Sequence, residues 1–359
     1  MVIIQIVPRL FPVIDGLGDY ALNLARQLRK DFKIETHFIV GDPTWSGSTQ
    51  LQGFPVSRVT AQSPNNLCSL LISDRTSVVT TVLLHYVGYG YARRGCPLWL
   101  VNGLERWRSE GSNRRLVTMF HELYAFGPPW TSSFCLSPLQ RKLAARLAQI
   151  SDRCLTSLQR YAEILAKFSQ GKHSEIPALP VFSNIGESRQ CLPLGNRHRR
   201  LVVFGGQRNR LQQSWSELNY TCQVLEIEEI WDIGPPIDLT FPNIDGVSIV
   251  KKGACTAAEI SNALSNSLAG FFNYYDPTRL AKSGIFAAYC AHGMLPISPC
   301  FTPLPVDGIE PGKQYWIPRN QPTELDFMTA LQAIADNAYA WYQTHNLSLQ
   351  AKVFSAYLN

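Results

Sequence analysis

The sequence predicts an α/β protein with two open, mainly parallel sheets in successive domains. Three observations predict it. The chain opens as strand, Gly-rich turn, helix and strand; an apolar run followed by a Gly-rich loop begins again at Arg200; and 359 residues exceed what one compact core ordinarily encloses.

The opening elements are read from periodicity. Val2 to Val7 and Thr36 to Val40 are short runs of the composition found in strands buried on both faces of a parallel sheet. Between them DGLGDY makes the turn, and ALNLARQLRK a helix in which Tyr20, Leu24 and Leu28 recur at helical spacing. SVVTTVLLHYVG and RRLVTMFHELY each repeat an apolar run that ends in a polar loop. Such loops lie at the carboxyl edge of an open α/β sheet, where ligands bind. LSPLQRKLAARLAQISD follows as a long amphipathic helix, and CLTSLQRYAEILAKF as a strand or turn running into another helix.

The stretch QGKHSEIPALPVFSNIGESRQCLPLGNRHRR, rich in Pro, Gly and polar residues, reads as the connection between domains. Beyond it RLVVFGGQRNRL is a strand and Gly-rich loop, and GVSIVKKG a strand. TAAEISNALSNS is a helix opened by Thr256 with Glu259 three residues later, and LAGFFNYY is a further strand. A helix from about Ser283 to Cys290, a strand at MLPISP and two terminal helices complete the order. The expected domains are residues 1–182, a linker at 183–199, residues 200–320, and C-terminal helices at 321–359 placed to return to the first domain. No short internal repeat is present.

Composition narrows the function classes. Hydrophobic residues make up 45% of the chain and charged residues 17%, the balance of an ordinary globular protein. No run approaches the roughly 20 apolar residues of a membrane span. MVIIQIVPRLFPV lacks the basic start and small-residue cleavage pattern of a secretory signal. Nine cysteines without a CxxC pair or zinc spacing suit a reducing cytoplasm and predict no structural metal. The net charge of +6 favours anionic ligands such as phosphates, nucleotides or an acidic membrane surface. No nucleic-acid partner is expected, because no recognised binding motif and no interleaved basic and aromatic repeat occur.

Candidate site residues cluster at predicted strand ends. Gly16 and Gly18 would let backbone N–H groups approach a phosphate or sugar at a helix N-terminus; the plain alternative is a tight turn, since the third glycine of GxGxxG is missing. His121 and Glu122 follow the strand LVTMF, where an imidazole can donate to or accept from a substrate hydroxyl. His85, ending TVLLHY, is a second histidine so placed. Arg208 and Arg210 are suited to clamp a diphosphate through bidentate hydrogen bonds, or are simply a solvated turn. Lys282 and Ser283 open the helix of RLAKSGIFAAYCAHGMLPI, an anion position in which Ser283 also serves as N-cap.

Taken in order, DGLGDYALNLARQL, TMFHELY, and LAGFFNYY followed by AHGMLPI resemble the retaining glycosyltransferases of the GT-B fold. The resemblance covers most of the chain, least in residues 45–80 and 211–240. It implies two Rossmann-like domains facing across a cleft, a nucleotide diphosphate sugar held mainly by the C-terminal one, and the acceptor by the N-terminal one. It also implies that Gly16 and Gly18 contact phosphate or acceptor, Arg208 or Arg210 the diphosphate, and His121 the donor sugar. No metal or other cofactor is required. The expected acceptor is a sugar, lipid-linked or polysaccharide hydroxyl, with peripheral contact at the inner face of a membrane.

One departure from the family stands out. Its members usually carry two glutamates separated by seven residues ahead of Gly-x-Pro. Counting back from Gly293 places them at Leu280 and Ala288, and from Pro296 at Ala281 and Tyr289. Neither register supplies a carboxylate, and losing a buried acceptor for ribose hydroxyls costs on the order of a few kcal/mol unless another group replaces it. The alternative function is therefore a non-catalytic scaffold that binds a sugar or a partner protein. A nucleotide-sugar epimerase fits less well, since no GxGxxG follows the first strand.

Overall fold

The computed structural model describes residues 1–73, 80–206, 214–235, 244–273, 276–319 and 326–359. By contacts the chain divides into two units, residues 1–180 with 347–359, and residues 181–346. The stretch 183–199 lies within the second unit, and of the C-terminal residues only 347–359 join the first.

The first unit opens with β1 (Val2–Val7), α1 (Gly16–Phe32) and β2 (Glu35–Val40), followed by a short hairpin of β3 (Gln50–Leu51) and β4 (Phe54–Arg58). Next come α2 (Pro64–Ser73), β5 (Thr80–Tyr86), α3 (Gly88–Tyr91), α4 (Leu98–Ser109) and β6 (Arg114–Phe120). α5 (Ser132–Ile150), β7 (Arg153–Thr156) and α6 (Gln159–Phe168) complete the run. Its sheet has the order β3-β4-β2-β1-β5-β6-β7, parallel throughout except for the β3–β4 pair. The inner strands are apolar for the reason their composition predicts: helices cover both faces, and Ile3, Ile4, Ile6 and Val7 are all buried.

The second unit contains β8 (His198–Phe204), α7 (Trp215–Val224), β9 (Glu229–Ile233), β10 (Ser248–Gly253) and α8 (Ala257–Asn266). β11 (Ser267–Phe271), α9 (Gly284–Ala291), β12 (Leu295–Ile297) and α10 (Phe327–Gln343) follow, and α11 (Leu347–Leu358) belongs to the first unit. The parallel sheet runs β10-β9-β8-β11-β12. Thr256 caps α8 through the expected reciprocal capping box with Glu259.

α11 is tied into the first unit by polar contacts. Tyr20 Oη donates to Gln350 Oε1 at 2.9 Å, and Gln350 Nε2 donates to the Pro180 carbonyl at 2.6 Å. Among the described residues, no helix is long and apolar enough to cross a membrane. All nine cysteines are free thiols.

Candidate functional site

Each sheet has one topological switch point, where strands are added on opposite sides of a central strand. In the first unit β1 lies between β2 and β5; in the second, β8 lies between β9 and β11. Open α/β sheets bind ligands outside the carboxyl ends of the strands at such points, because the loops there diverge and leave a crevice.

In the first unit, hydrogen bonds join polar side chains across four neighbouring strands. Gln5 on β1 donates through Nε2 to Thr36 Oγ1 on β2 at 3.2 Å, and its Oε1 lies 2.9 Å from His85 Nε2 on β5. His85 Nδ1 lies 3.1 Å from His121 Nε2, just past β6. The two imidazoles are nearly parallel, with ring planes 25° apart. Tyr20, from the first turns of α1, stands nearly perpendicular to both rings, with centroids 5.9 Å from His85 and 5.1 Å from His121. Gln5, Thr36 and His85 are buried, whereas His121 is half-buried. Burial pushes His85 down to about 3, so its ring is neutral at physiological pH. The same cause raises the Tyr20 phenol, which stays protonated and serves as a donor to Gln350.

The main chain holds the end of β6 in place. The amides of His121 and Glu122 both donate to the Tyr86 carbonyl, at 3.0 and 3.4 Å, and the Glu122 side chain is half-exposed. His121 and Glu122 therefore emerge at the carboxyl edge of the sheet, as their position after an apolar strand predicts.

The Gly-rich turn separates into two roles. Asp15 caps α1 by accepting from the Leu17 amide at 2.9 Å, and Gly16 is exposed in the first turn. Gly18 is buried, and a Cβ there would stand 2.6 Å from the carbonyl oxygen of Arg9. The helix can approach the loop after β1 only because this side chain is absent. Packing thus accounts for Gly18, and only Gly16 faces outward. Gly18→Ala is expected to cost about 2 kcal/mol of stability with no ligand present, since backbone must move to admit the methyl group. Urea denaturation of the free protein checks this; an unchanged midpoint would return Gly18 to a ligand-contacting role.

In the second unit the loop after β8 meets the start of α9. A Cβ on Gly205 would lie 2.8 Å from Ile285 Cδ1, so FGG and the Lys282–Ser283 turn are neighbours. Ser283 Oγ accepts from the Phe286 amide at 3.2 Å, which confirms it as the N-cap, while Lys282 is half-buried at the end of a 3-10 turn, Pro277–Lys282. Asp276, the nearest upstream acid, caps that turn by accepting from the Thr278 amide at 3.1 Å. At the end of β11, Asn273 Nδ2 donates to Ser214 Oγ at 2.9 Å and Cys300 Sγ lies 3.6 Å from Asn273 Oδ1. Arg208 and Arg210 lie outside the described residues.

The four positions where glutamates would fall are all interior. Leu280, Ala281, Ala288 and Tyr289 are each no more than 2% exposed. Tyr289 Oη reaches the carbonyls of Val202 on β8 and Phe271 on β11, at 3.0 and 3.2 Å. Its ring sits where a Cβ on Gly270 would come within 2.5 Å, which explains a glycine inside strand LAGFF. Packed apolar and aromatic side chains occupy these positions, two in the 3-10 turn and two in α9. Among the described residues, no three His, Cys, Asp or Glu side chains gather as metal ligands.

No protein-family model and no curated protein sequence matches the chain. Solved structures do match, over its full length. An alpha-glucosyltransferase in complex with UDP and a 13-mer DNA aligns with a TM-score of 0.60 at 10% identity, covering 100% of both chains. A glycosyltransferase from Rickettsia africae aligns at 0.60 and 12% identity, covering 99% of this chain and 97% of its own. A UDP-forming alpha,alpha-trehalose-phosphate synthase from Burkholderia xenovorans, in complex with glucose-6-phosphate, aligns at 0.55 and 10% identity, covering 99% of each chain.

The fold is therefore GT-B, as the order of motifs predicts. One expectation needs correction. DNA is bound in several alpha-glucosyltransferase structures of this fold, so the exclusion of nucleic acid does not stand. The physical reason is that scattered Lys, Arg and backbone N–H groups suffice to hold a phosphate backbone, with no dedicated recognition motif.

Proposed function

We propose that the chain is a glycosyltransferase that moves a sugar from a nucleotide diphosphate sugar, a UDP-sugar first, onto a hydroxyl acceptor with retention of configuration. The observation that carries this reading is the histidine pair at the ends of β5 and β6, beside the switch point of the first sheet, in a chain that aligns end to end with alpha-glucosyltransferases in complex with UDP. In this reading His121 meets the donor sugar, with Glu122 beside it, and Gly16 offers its exposed turn to acceptor or phosphate. Lys282 and the first turn of α9 face the diphosphate, joined on the sequence alone by Arg208 and Arg210. Rate enhancement comes from holding donor and acceptor in line and from offsetting charge on the departing diphosphate, with no protein nucleophile and no required metal.

Donor recognition differs from that of relatives bearing the two glutamates, since the corresponding positions are buried and apolar. Ribose hydroxyls must be read by other polar groups at the second switch point, of which Asn273 lies just past β11 and Ser214, its hydrogen-bond partner, opens α7. The test is calorimetry and thermal shift of the whole protein with UDP, GDP, ADP and TDP and their sugars. A cognate nucleotide at about a hundred times its Kd is expected to stabilise the fold by about 2.7 kcal/mol. Stabilisation by none of them contradicts the reading. Free sugars and duplex DNA, presented with the cognate donor, then separate acceptor classes.

A further inference from the structure

The hydrogen bonds behind His121 fix more than its position. Gln5 Nε2 donates to Thr36 Oγ1, which turns Gln5 Oε1 toward His85. A carbonyl oxygen only accepts, so His85 Nε2 carries the hydrogen. The ring is buried and neutral, which leaves Nδ1 as its bare nitrogen. His121 Nε2, at 3.1 Å, must then be the donor. The direction runs unbroken across β2, β1, β5 and β6, the order of the strands in the sheet.

We infer that His85 is a positioning residue, which holds the His121 ring with its Nε2 hydrogen directed into the protein and so fixes the orientation in which His121 stands at the sheet edge. This rests on the proposed role of His121 at the donor sugar. The lock has two parts. Gln5 and Thr36 set the tautomer of His85 from the far side, while Tyr20, tethered through Gln350 on α11, packs its ring nearly perpendicular to both and limits their rotation. A buried Gln in the otherwise apolar run VIIQIV is thereby explained: with a hydrocarbon there, His85 would be free to carry its hydrogen on Nδ1 and reverse its hydrogen bond with His121.

The test begins with the wild-type protein and needs no ligand. Long-range 1H–15N NMR on 15N-histidine-labelled protein reads the tautomer of each of the seven histidines. His85 and His121 are both expected as the Nε2–H form, and either one found as Nδ1–H overturns the inference. Gln5→Leu is expected to mix the His121 tautomers and lower kcat about tenfold, with donor Kd unchanged within a factor of two. His85→Asn, which still fills the site with a polar side chain, is expected to do the same should Gln5→Leu fold poorly. If His121→Ala abolishes transfer while both variants retain wild-type kcat, the positioning role is overturned and the site reading survives. If His121→Ala itself is silent, the site reading is overturned, and the catalytic consequence of the tautomer falls with it.

Discussion

His121→Ala is expected to lower glycosyl transfer by about a hundredfold, the scale at which removing one preorganised polar contact to a reacting centre is felt. The fold should survive. His121 is only half-buried, and the hydrogen bond its backbone N–H donates to the Tyr86 carbonyl does not depend on the side chain. What disappears is an imidazole whose ring is already packed against His85 and Tyr20 before substrate arrives, so little ordering cost is met during reaction. Initial rates with the cognate donor, beside a thermal melt, check both halves. The expected result is a loss in kcat with a melting temperature shifted by a few degrees at most, as for a loss of roughly 1 kcal/mol. Wild-type rates in this variant would remove His121 from the site.

Ala288→Glu is expected to destabilise the second unit by about 4 kcal/mol without improving donor affinity. This variant restores, in one register, the second carboxylate of the family pattern. Yet Ala288 is wholly buried, and Phe286 to Ala291 are interior without a break. A carboxylate at 288 would have to displace packed side chains, and it would lie beside the Tyr289 ring that already fills the space against Gly270. Overpacking and an uncompensated charge act in the same direction. Denaturant titration combined with UDP calorimetry reads the outcome. A stable variant that binds UDP more tightly would mean that this helix still presents position 288 to ligand.

The parts of the fold that were legible in the sequence are those in which local pattern and tertiary role agree. β1, α1 and β2 follow from a β-branched run, a capped Gly-rich turn and a helical stripe, and the capping box at Thr256 marks α8 without further help. The helices α2 and α4 and the β3–β4 hairpin were not legible. α4 buries Trp99, Leu100, Val101, Gly103, Leu104 and Trp107, a spread wider than one stripe, and its N-cap makes no side-chain hydrogen bond. α5 begins at Ser132, four residues before the predicted LSPLQ start, because Thr131 caps it and Pro138 is tolerated within it.

Within the site, His121 and His85 were legible as polar residues at the ends of apolar strands. Their pairing was not, and neither were Gln5, Tyr20 and Gln350. Those contacts join residues 36, 80 and 330 positions apart, which only the strand order and the return of α11 bring together. Gly18 was legible as special but not for which reason: the same small residue serves a close helix approach or a phosphate, and the carbonyl of Arg9 decides between them. The missing carboxylates were legible only by counting positions against the pattern of the family that the sequence resembles. Why their loss is tolerated in the fold was not, since Tyr289 reaches across to β8 and β11.

The most direct test of the central claim, that a GT-B chain without these glutamates still transfers sugar, is a time course of nucleotide diphosphate release. It uses the wild-type protein and the His121→Ala variant, with the donor that calorimetry identifies and with each acceptor class in turn. The account predicts release well above the uncatalysed rate in the wild type, at least with one acceptor, and its collapse in the variant. A donor that binds but is never consumed, with any acceptor, would contradict it and leave a sugar-nucleotide-binding scaffold in its place.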